Sequence, residues 1–303
     1  MSLWPALWAL ALLPAPAMAE EPAEEPNSSQ VVSLTWARTR AVRSESPTLP
    51  DEAERMARTA LVAELLRGAP SGHIPADAAP RAQALGLSLE RAGDRLWLVE
   101  PKDGPEPRGL AMAAIRLGPL PSELVLQAPH PYYDEHTGRI VGALFDAGGV
   151  RAAMIASAQR YAVKGSDPTG QVASVLQAYT AAVPLALPDA LVVQIHGFGP
   201  KRSEAHVVLS PGAARSGGAL YERAMRSLGP ALQADGPGDL RGPDQVPLLA
   251  AMANVQSWLL ADRTRFLHIE LSAEVRDRLR LDEPSRQRLA EALQALAARP
   301  EDR

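Results

Sequence analysis

The chain has six histidines, His73, His130, His136, His196, His206 and His268, and no cysteine. Without thiols there is no cysteine nucleophile, no thiolate metal site and no disulfide, so any bound metal must be held by imidazole and carboxylate. Two of the histidines stand directly after apolar, strand-like runs: His130 after LVLQAP and His196 after LVVQI. In open α/β sheets ligands gather at the carboxyl ends of strands, which is where these two rings fall. Gly197-Phe198-Gly199 follows His196, and a glycine-containing turn lets backbone approach a bound group closely. Asp134 lies just beyond His130 and just before Thr137, where a helical pattern opens. Two imidazoles and one carboxylate arriving from separate strand ends are the ligand set of a catalytic zinc with its fourth position left to water. Such an ion lowers the pKa of water to about 7 and polarises a scissile carbonyl. The proton then needs a carrier, and Glu270 in FLHIELS sits near the end of another apolar run, where a carboxyl is costly unless paired or used. The same residues admit plainer roles: histidines on a hydrogen-bonded rim, Asp134 capping the Thr137 helix, Glu270 capping a helix that begins near Ala273.

Other chemistries find less support. There is no GxSxG elbow, P-loop, GxGxxG turn or HExxH helix, and a serine-type hydrolase would lack a nucleophile. The formal net charge is -4, and the one concentration of arginine, Arg276 to Arg288, is interleaved with Asp and Glu as on a solvated helix. That pattern argues against nucleic acid as a partner. A hydrophobic fraction of 46% with 22% charged residues is that of a globular chain rather than a disordered or multi-span one.

The elements that must position these residues follow from periodicity. From about Leu120 short apolar runs alternate with helical stretches, the signature of an α/β sheet with crossover helices. Strands are expected at 123–128, 151–157, 190–195, 206–210 and 265–271, and helices at 137–147, 169–182, 218–233, 245–260 and 284–298. Gly and Pro between 229 and 247 suggest a long loop. Upstream, 51–67 has helical spacing between Pro50 and Gly68, and 85–99 alternates around Ala92-Gly93-Asp94 as a hairpin does. These form a small N-terminal α+β segment, 30–119, ahead of a main α/β domain, 120–303.

The first 19 residues, MSLWPALWALALLPAPAMA, are an apolar run ending in Ala17-Met18-Ala19. The small-x-small ending fits a signal peptide cut before Glu20, and hence a secreted or periplasmic protein with no membrane span after cleavage. Only the α-amino group supplies positive charge ahead of the run; a membrane anchor is the other reading, opposed by Pro5, Pro14 and Pro16. Residues 20–29, acidic and Pro-containing, read as a flexible tether.

Several short motifs in order complete the picture: Ala128-Pro-His-Pro-Tyr-Tyr-Asp-Glu-His-Thr137, Ser157-Ala-Gln-Arg160, Ser166-Asp167, Val192-Val-Gln-Ile-His-Gly-Phe198 and Ile269-Glu-Leu-Ser272. Together they resemble the zinc carboxypeptidase-like superfamily, in particular its branch of N-formylglutamate amidohydrolases and phage poly-γ-glutamate hydrolases. The resemblance covers about Leu120 to Leu279 and nothing before. It implies a mixed, mainly parallel sheet flanked by helices, of the phosphorylase/hydrolase-like kind. It further implies Zn2+ held by His130, Asp134 and His196, with Glu135 as the adjacent alternative to Asp134, and Glu270 as general acid/base. Arg160 would orient a substrate carboxylate or carbonyl; a structural arginine is its other reading. The implied activity is hydrolysis of an amide bond in a peptide, a γ-glutamyl compound or an N-acyl amino acid. The alternative is an envelope peptide-binding protein that keeps the fold without catalysis. Pro131 beside a ligand, and Pro168-Thr169 where relatives often carry Ala-His, depart from the pattern.

Overall fold

The computed structural model describes residues 33–101, 107–109, 111–213, 218–233, 240–261 and 265–298. The expected export signal and tether lie outside the described residues. Among the described residues nine strands form one sheet: β1 (Ser88–Ala92), β2 (Arg95–Val99), β3 (Met112–Arg116), β4 (Leu124–Ala128), β5 (Ala152–Ile155), β6 (Leu191–Phe198), β7 (Val207–Ser210), β8 (Leu240–Arg241) and β9 (Arg265–Ser272). Their spatial order is β1-β2-β3-β5-β4-β6-β9-β7-β8. The centre, β5-β4-β6-β9, is parallel. An antiparallel wing β1-β2-β3 joins through β5, and β7 pairs antiparallel with β9 on the other side. The segments ahead of residue 120 therefore supply three strands of the one sheet.

The helices are α1 (Leu34–Arg40), α2 (Glu52–Gly68), α3 (Ala78–Ala84), α4 (Thr137–Ala147), α5 (Val175–Ala186), α6 (Gly218–Gln233), α7 (Val255–Leu260), α8 (Ala273–Leu281) and α9 (Glu283–Ala297). Central strands are apolar on both faces, as parallel strands covered by helices must be. Leu124, Leu126, Val193, Ile195, Leu267 and Ile269 face one core, packed with Ile140 and Leu144 of α4, Leu228 of α6, Val275 of α8 and Leu293 of α9. Val125, Met154, Val192 and Phe266 face the other, with Leu61 and Leu65 of α2 and Leu176 and Tyr179 of α5. Side chains alternate along a strand. Gln127, Gln194, His196, His268 and Glu270 therefore project toward this second face, at the carboxyl end of the sheet.

Three expectations are corrected. The helix expected at 169–182 starts at Val175, because Ser174 caps it by accepting from Gln177 N; Thr169 to Ser174 become a loop over the sheet's carboxyl end. The stretch 245–260 is not one helix: Pro247 opens a 3-10 turn, Pro247–Leu249, and Asn254 starts a separate α7. The loop expected from Gly229 does not start there, since α6 carries Gly229 and Pro230 within its span. On α2, fully buried Arg58 bonds Glu54 Oε1 at 2.6 Å and the Leu85 carbonyl at 2.7 Å. Arg108 Nη1 and Nη2 reach the same carboxylate at 2.9 and 3.0 Å.

Candidate metal centre

His130 lies two residues past β4, and the chain turns back at once. The His130 carbonyl accepts from Tyr133 N at 3.0 Å and Asp134 N at 2.8 Å. The Asp134 carbonyl then accepts from Thr137 N at 3.1 Å and Thr137 Oγ1 at 2.8 Å. This turn returns the Asp134 carboxylate to the His130 ring. His136, in the left-handed region at φ 70, links it to α4 and makes no side-chain cap bond. Asp134 does not cap α4 with its side chain; it is buried in the centre, whereas Glu135 is exposed. His196 arrives from β6.

Three donor atoms meet. His130 Nδ1 is 3.2 Å from His196 Nδ1 and 3.3 Å from Asp134 Oδ2, and His196 Nδ1 is 3.0 Å from the same oxygen. Ligands about 2.0–2.1 Å from a tetrahedral ion are about 3.3–3.4 Å apart, close to these separations. The chemistry of the set also fits a divalent ion. Burial pushes the Asp134 carboxyl up, but the hydrogen-bonding contacts with His130 and His196 outweigh it and hold the group well below the usual carboxylate range. Burial pushes His196 down, only partly offset by Asp134, which favours the neutral ring. Burial also acts downward on His130, yet the bonds to Asp134 and Asp167 raise it. A proton on His130 and a cation between the three atoms are thus alternative ways to neutralise the buried carboxylate.

The outer nitrogen of His130 is held by the loop over the site. Its Nε2 lies 2.9 Å from Asp167 Oδ1, which also accepts from Thr169 N at 3.0 Å and Thr169 Oγ1 at 2.8 Å. Arg160 pairs with the other Asp167 oxygen, and its Nη1 is 3.4 Å from His130 Nδ1. Burial drives Asp167 up, but His130 and Arg160 hold it far below its ordinary value. The Arg160 guanidinium also lies 5.3 Å from the Tyr133 ring and 5.1 Å from that of Tyr161. Both tyrosines are exposed.

No protein-family model and no curated protein matches the chain. Among solved structures it is similar to an N-formylglutamate amidohydrolase from Ralstonia eutropha JMP134, with 13% identity and a TM-score of 0.40 over 63% of this chain and 96% of that one. A bacteriophage poly-gamma-glutamate hydrolase matches with 11% identity and a TM-score of 0.31 over 58% of this chain and 83% of that one. A metallo-carboxypeptidase from Pseudomonas aeruginosa matches with 13% identity and a TM-score of 0.38 over 60% of this chain and 61% of that one.

Glu270 stands on β9 beside His196. Burial, then the nearby Asp134 charge, pushes its carboxyl well above the usual range. Its Oε1 is 3.8 Å from His268 Nε2, and its Oε2 makes no hydrogen bond among the described residues. Glu270 does not cap α8, because Ser272 does so by accepting from Val275 N. His196, His268 and Glu270 make a second, looser group with donor atoms within 4.8 Å of one another. His196 is common to both groups; its Nδ1 faces Asp134 and its Nε2 faces Gln194 at 3.4 Å. Sequence reasoning gave no role to Asp167, Thr169, Gln194, Asn254 or Gln256. The available signal was an uncharged Gln inside each of two apolar runs, LVLQA and LVVQI, which a buried strand keeps only if the amide is fully bonded.

Proposed function

We propose that the chain is an exported, zinc-dependent hydrolase of an amide bond in a peptide, γ-glutamyl or N-acyl amino-acid substrate. The observation that carries this reading is the meeting of His130 Nδ1, Asp134 Oδ2 and His196 Nδ1 within 3.0–3.3 Å, all three side chains being buried. The amide class comes from the resemblance of the sequence motifs. A zinc ion held by these residues supplies Lewis acidity toward a carbonyl oxygen and makes water acidic enough to deprotonate near neutrality.

The chain's own residues do the rest. Glu270 accepts and returns a proton at its carboxyl, a task suited by its raised proton affinity and by an oxygen without a hydrogen-bond partner among the described residues. Asp167 holds the His130 ring through Nε2. Arg160, already paired with Asp167 and flanked by Tyr133 and Tyr161, orients the polar end of the substrate at the rim.

Elemental analysis of the purified chain, with a screen of γ-glutamyl, peptidoglycan-derived and C-terminal peptide substrates, tests the proposal. One zinc per chain with turnover is expected; a preparation that cannot be reconstituted with zinc overturns it. Export is tested separately by sequencing the mature N-terminus, expected at Glu20. Recovery of intact Met1 from the cell envelope favours an uncleaved anchor.

A further inference from the structure

Gln194 is fully buried on β6, and three separate chains of hydrogen bonds converge on its amide. The first begins at the N-terminus of α7, where Asn254 Oδ1 accepts from Gln256 N at 2.9 Å and Ser257 N at 3.1 Å. Backbone N–H groups only donate, so the Asn254 amide has one orientation, and its Nδ2 donates to Gln194 Oε1 at 2.7 Å. The second begins at the Pro168 carbonyl, which accepts from Gln256 Nε2 at 2.8 Å and so turns Gln256 Oε1 toward Gln194 Nε2, 3.3 Å away. The third begins at the Leu176 carbonyl, which takes the Thr180 hydroxyl proton at 2.7 Å. Thr180 Oγ1 then accepts from Gln127 Nε2 at 2.8 Å, leaving Gln127 Oε1 to accept from Gln194 Nε2 at 2.8 Å.

All three fix the same orientation: Gln194 presents its oxygen, not its nitrogen, to His196 Nε2 at 3.4 Å. From this we infer that Asn254 and Gln194 are positioning residues that set the tautomer of His196, keeping the proton on Nε2 and reserving the Nδ1 lone pair for a metal ion. The inference rests on the reading of His196 as a ligand. The relay ties that ligand to the start of α7, whose approach is itself held. Ala251, in the left-handed region at φ 54, turns the chain so that its carbonyl accepts from Asn254 N at 3.1 Å. Ser210 Oγ donates to the preceding Ala250 carbonyl at 2.6 Å.

The test uses the full chain and two variants. Asn254→Asp keeps a strong helix cap but puts a carboxylate oxygen where the donor to Gln194 was; Gln194→Met removes the acceptor. Zinc affinity is read by competition with a chromophoric chelator, and the His196 tautomer by long-range 1H–15N NMR on the chelator-treated chain, the signal being assigned by its loss in His196→Gln. Asp134 competes for a proton on Nδ1 in the metal-free chain, so the tautomer is read as a change. Both variants should raise the Nδ1–H population above that of the wild type and weaken zinc binding about 10- to 100-fold. A cap that is merely structural predicts no such shift for Asn254→Asp. A wild type already wholly Nδ1–H, or variants with an unchanged tautomer population, overturns the relay. A wild type that binds no zinc overturns the metal reading instead, and the NMR populations still decide the relay.

Discussion

His196 and Glu270 are Cα partners across the parallel strands β6 and β9. Because side chains at paired positions leave a sheet on the same face, the third candidate ligand and the candidate proton carrier are neighbours by register rather than by loop conformation. A site built on paired strands holds its spacing better than one built on loops.

The register makes Glu270→Gln the sharpest test of chemistry. The amide is nearly isosteric and removes only the transferable proton. Turnover should fall by about 10²- to 10⁴-fold with zinc content unchanged. Since Ser272, not Glu270, caps α8, the melting temperature should hold. Full activity in this variant would remove Glu270 from the mechanism, and unchanged ligand binding without any wild-type turnover would point to a non-catalytic receptor.

Metal content should follow burial. His130→Ala, His196→Ala and Asp134→Asn should each abolish stoichiometric zinc by elemental analysis, while Glu135→Ala, at an exposed position, should keep it. Zinc lost in Glu135→Ala and kept in Asp134→Asn would exchange the two carboxylates.

Gly197 follows His196 on β6, pairs with Leu271 of β9 and packs against the buried Arg276 of α8. A Cβ there would stand 2.4 Å from Arg276 Nη1, which is held by the carbonyls of Leu271 at 2.5 Å and Phe198 at 3.2 Å. Those carbonyls belong to the carboxyl ends of β9 and β6, so Arg276 ties the two strands together just beyond His196 and Glu270. Gly197→Ala should cost about 1–3 kcal/mol in urea unfolding. A change below about 0.5 kcal/mol would show that Arg276 moves aside freely.

Acid stability should report on Glu54. Burial raises its carboxyl, but Arg108 and Arg58 outweigh that and lower it below the ordinary 4.5. A lowered folded value gives stability that is present above the ordinary value and lost as pH falls through the folded one. The stability gap between wild type and Glu54→Gln should therefore be widest near pH 7 and narrow as pH falls below the ordinary carboxylate value. A gap independent of pH would mean that the ionised form contributes nothing special.

Much of this arrangement is legible in the residues. Val/Leu/Ile runs at β4, β6 and β9 read as strands because buried parallel strands are apolar on both faces, and α4 and α6 show clean helical periodicity over the spans found. The histidines were placed by those runs. What stayed hidden has physical causes. In β3, Met112-Ala-Ala-Ile-Arg116 has little β-branching, and antiparallel pairing to β2 and β5 overrides its weak propensity. In α1 and α3, seven residues each give too few turns for a period to show. The amide network around Gln194 draws on β4, β6, α5 and α7, and no local pattern announces contacts between segments so far apart in the chain.

The order β6-β9-β7 also bears on how the molecule is made. Among the described residues β9 is the last strand to leave the ribosome, yet it goes between two strands synthesised before it. Until it arrives, β6 and β7 each keep an open edge of unpaired backbone groups, the kind of edge that captures another chain. A nascent chain stalled before residue 265 would hold His130, Asp134 and His196 but neither Glu270 nor a closed sheet. Joining of the sheet and assembly of the candidate centre are thus the same late event, and the aggregation hazard during synthesis lasts until the strand bearing Glu270 slots home.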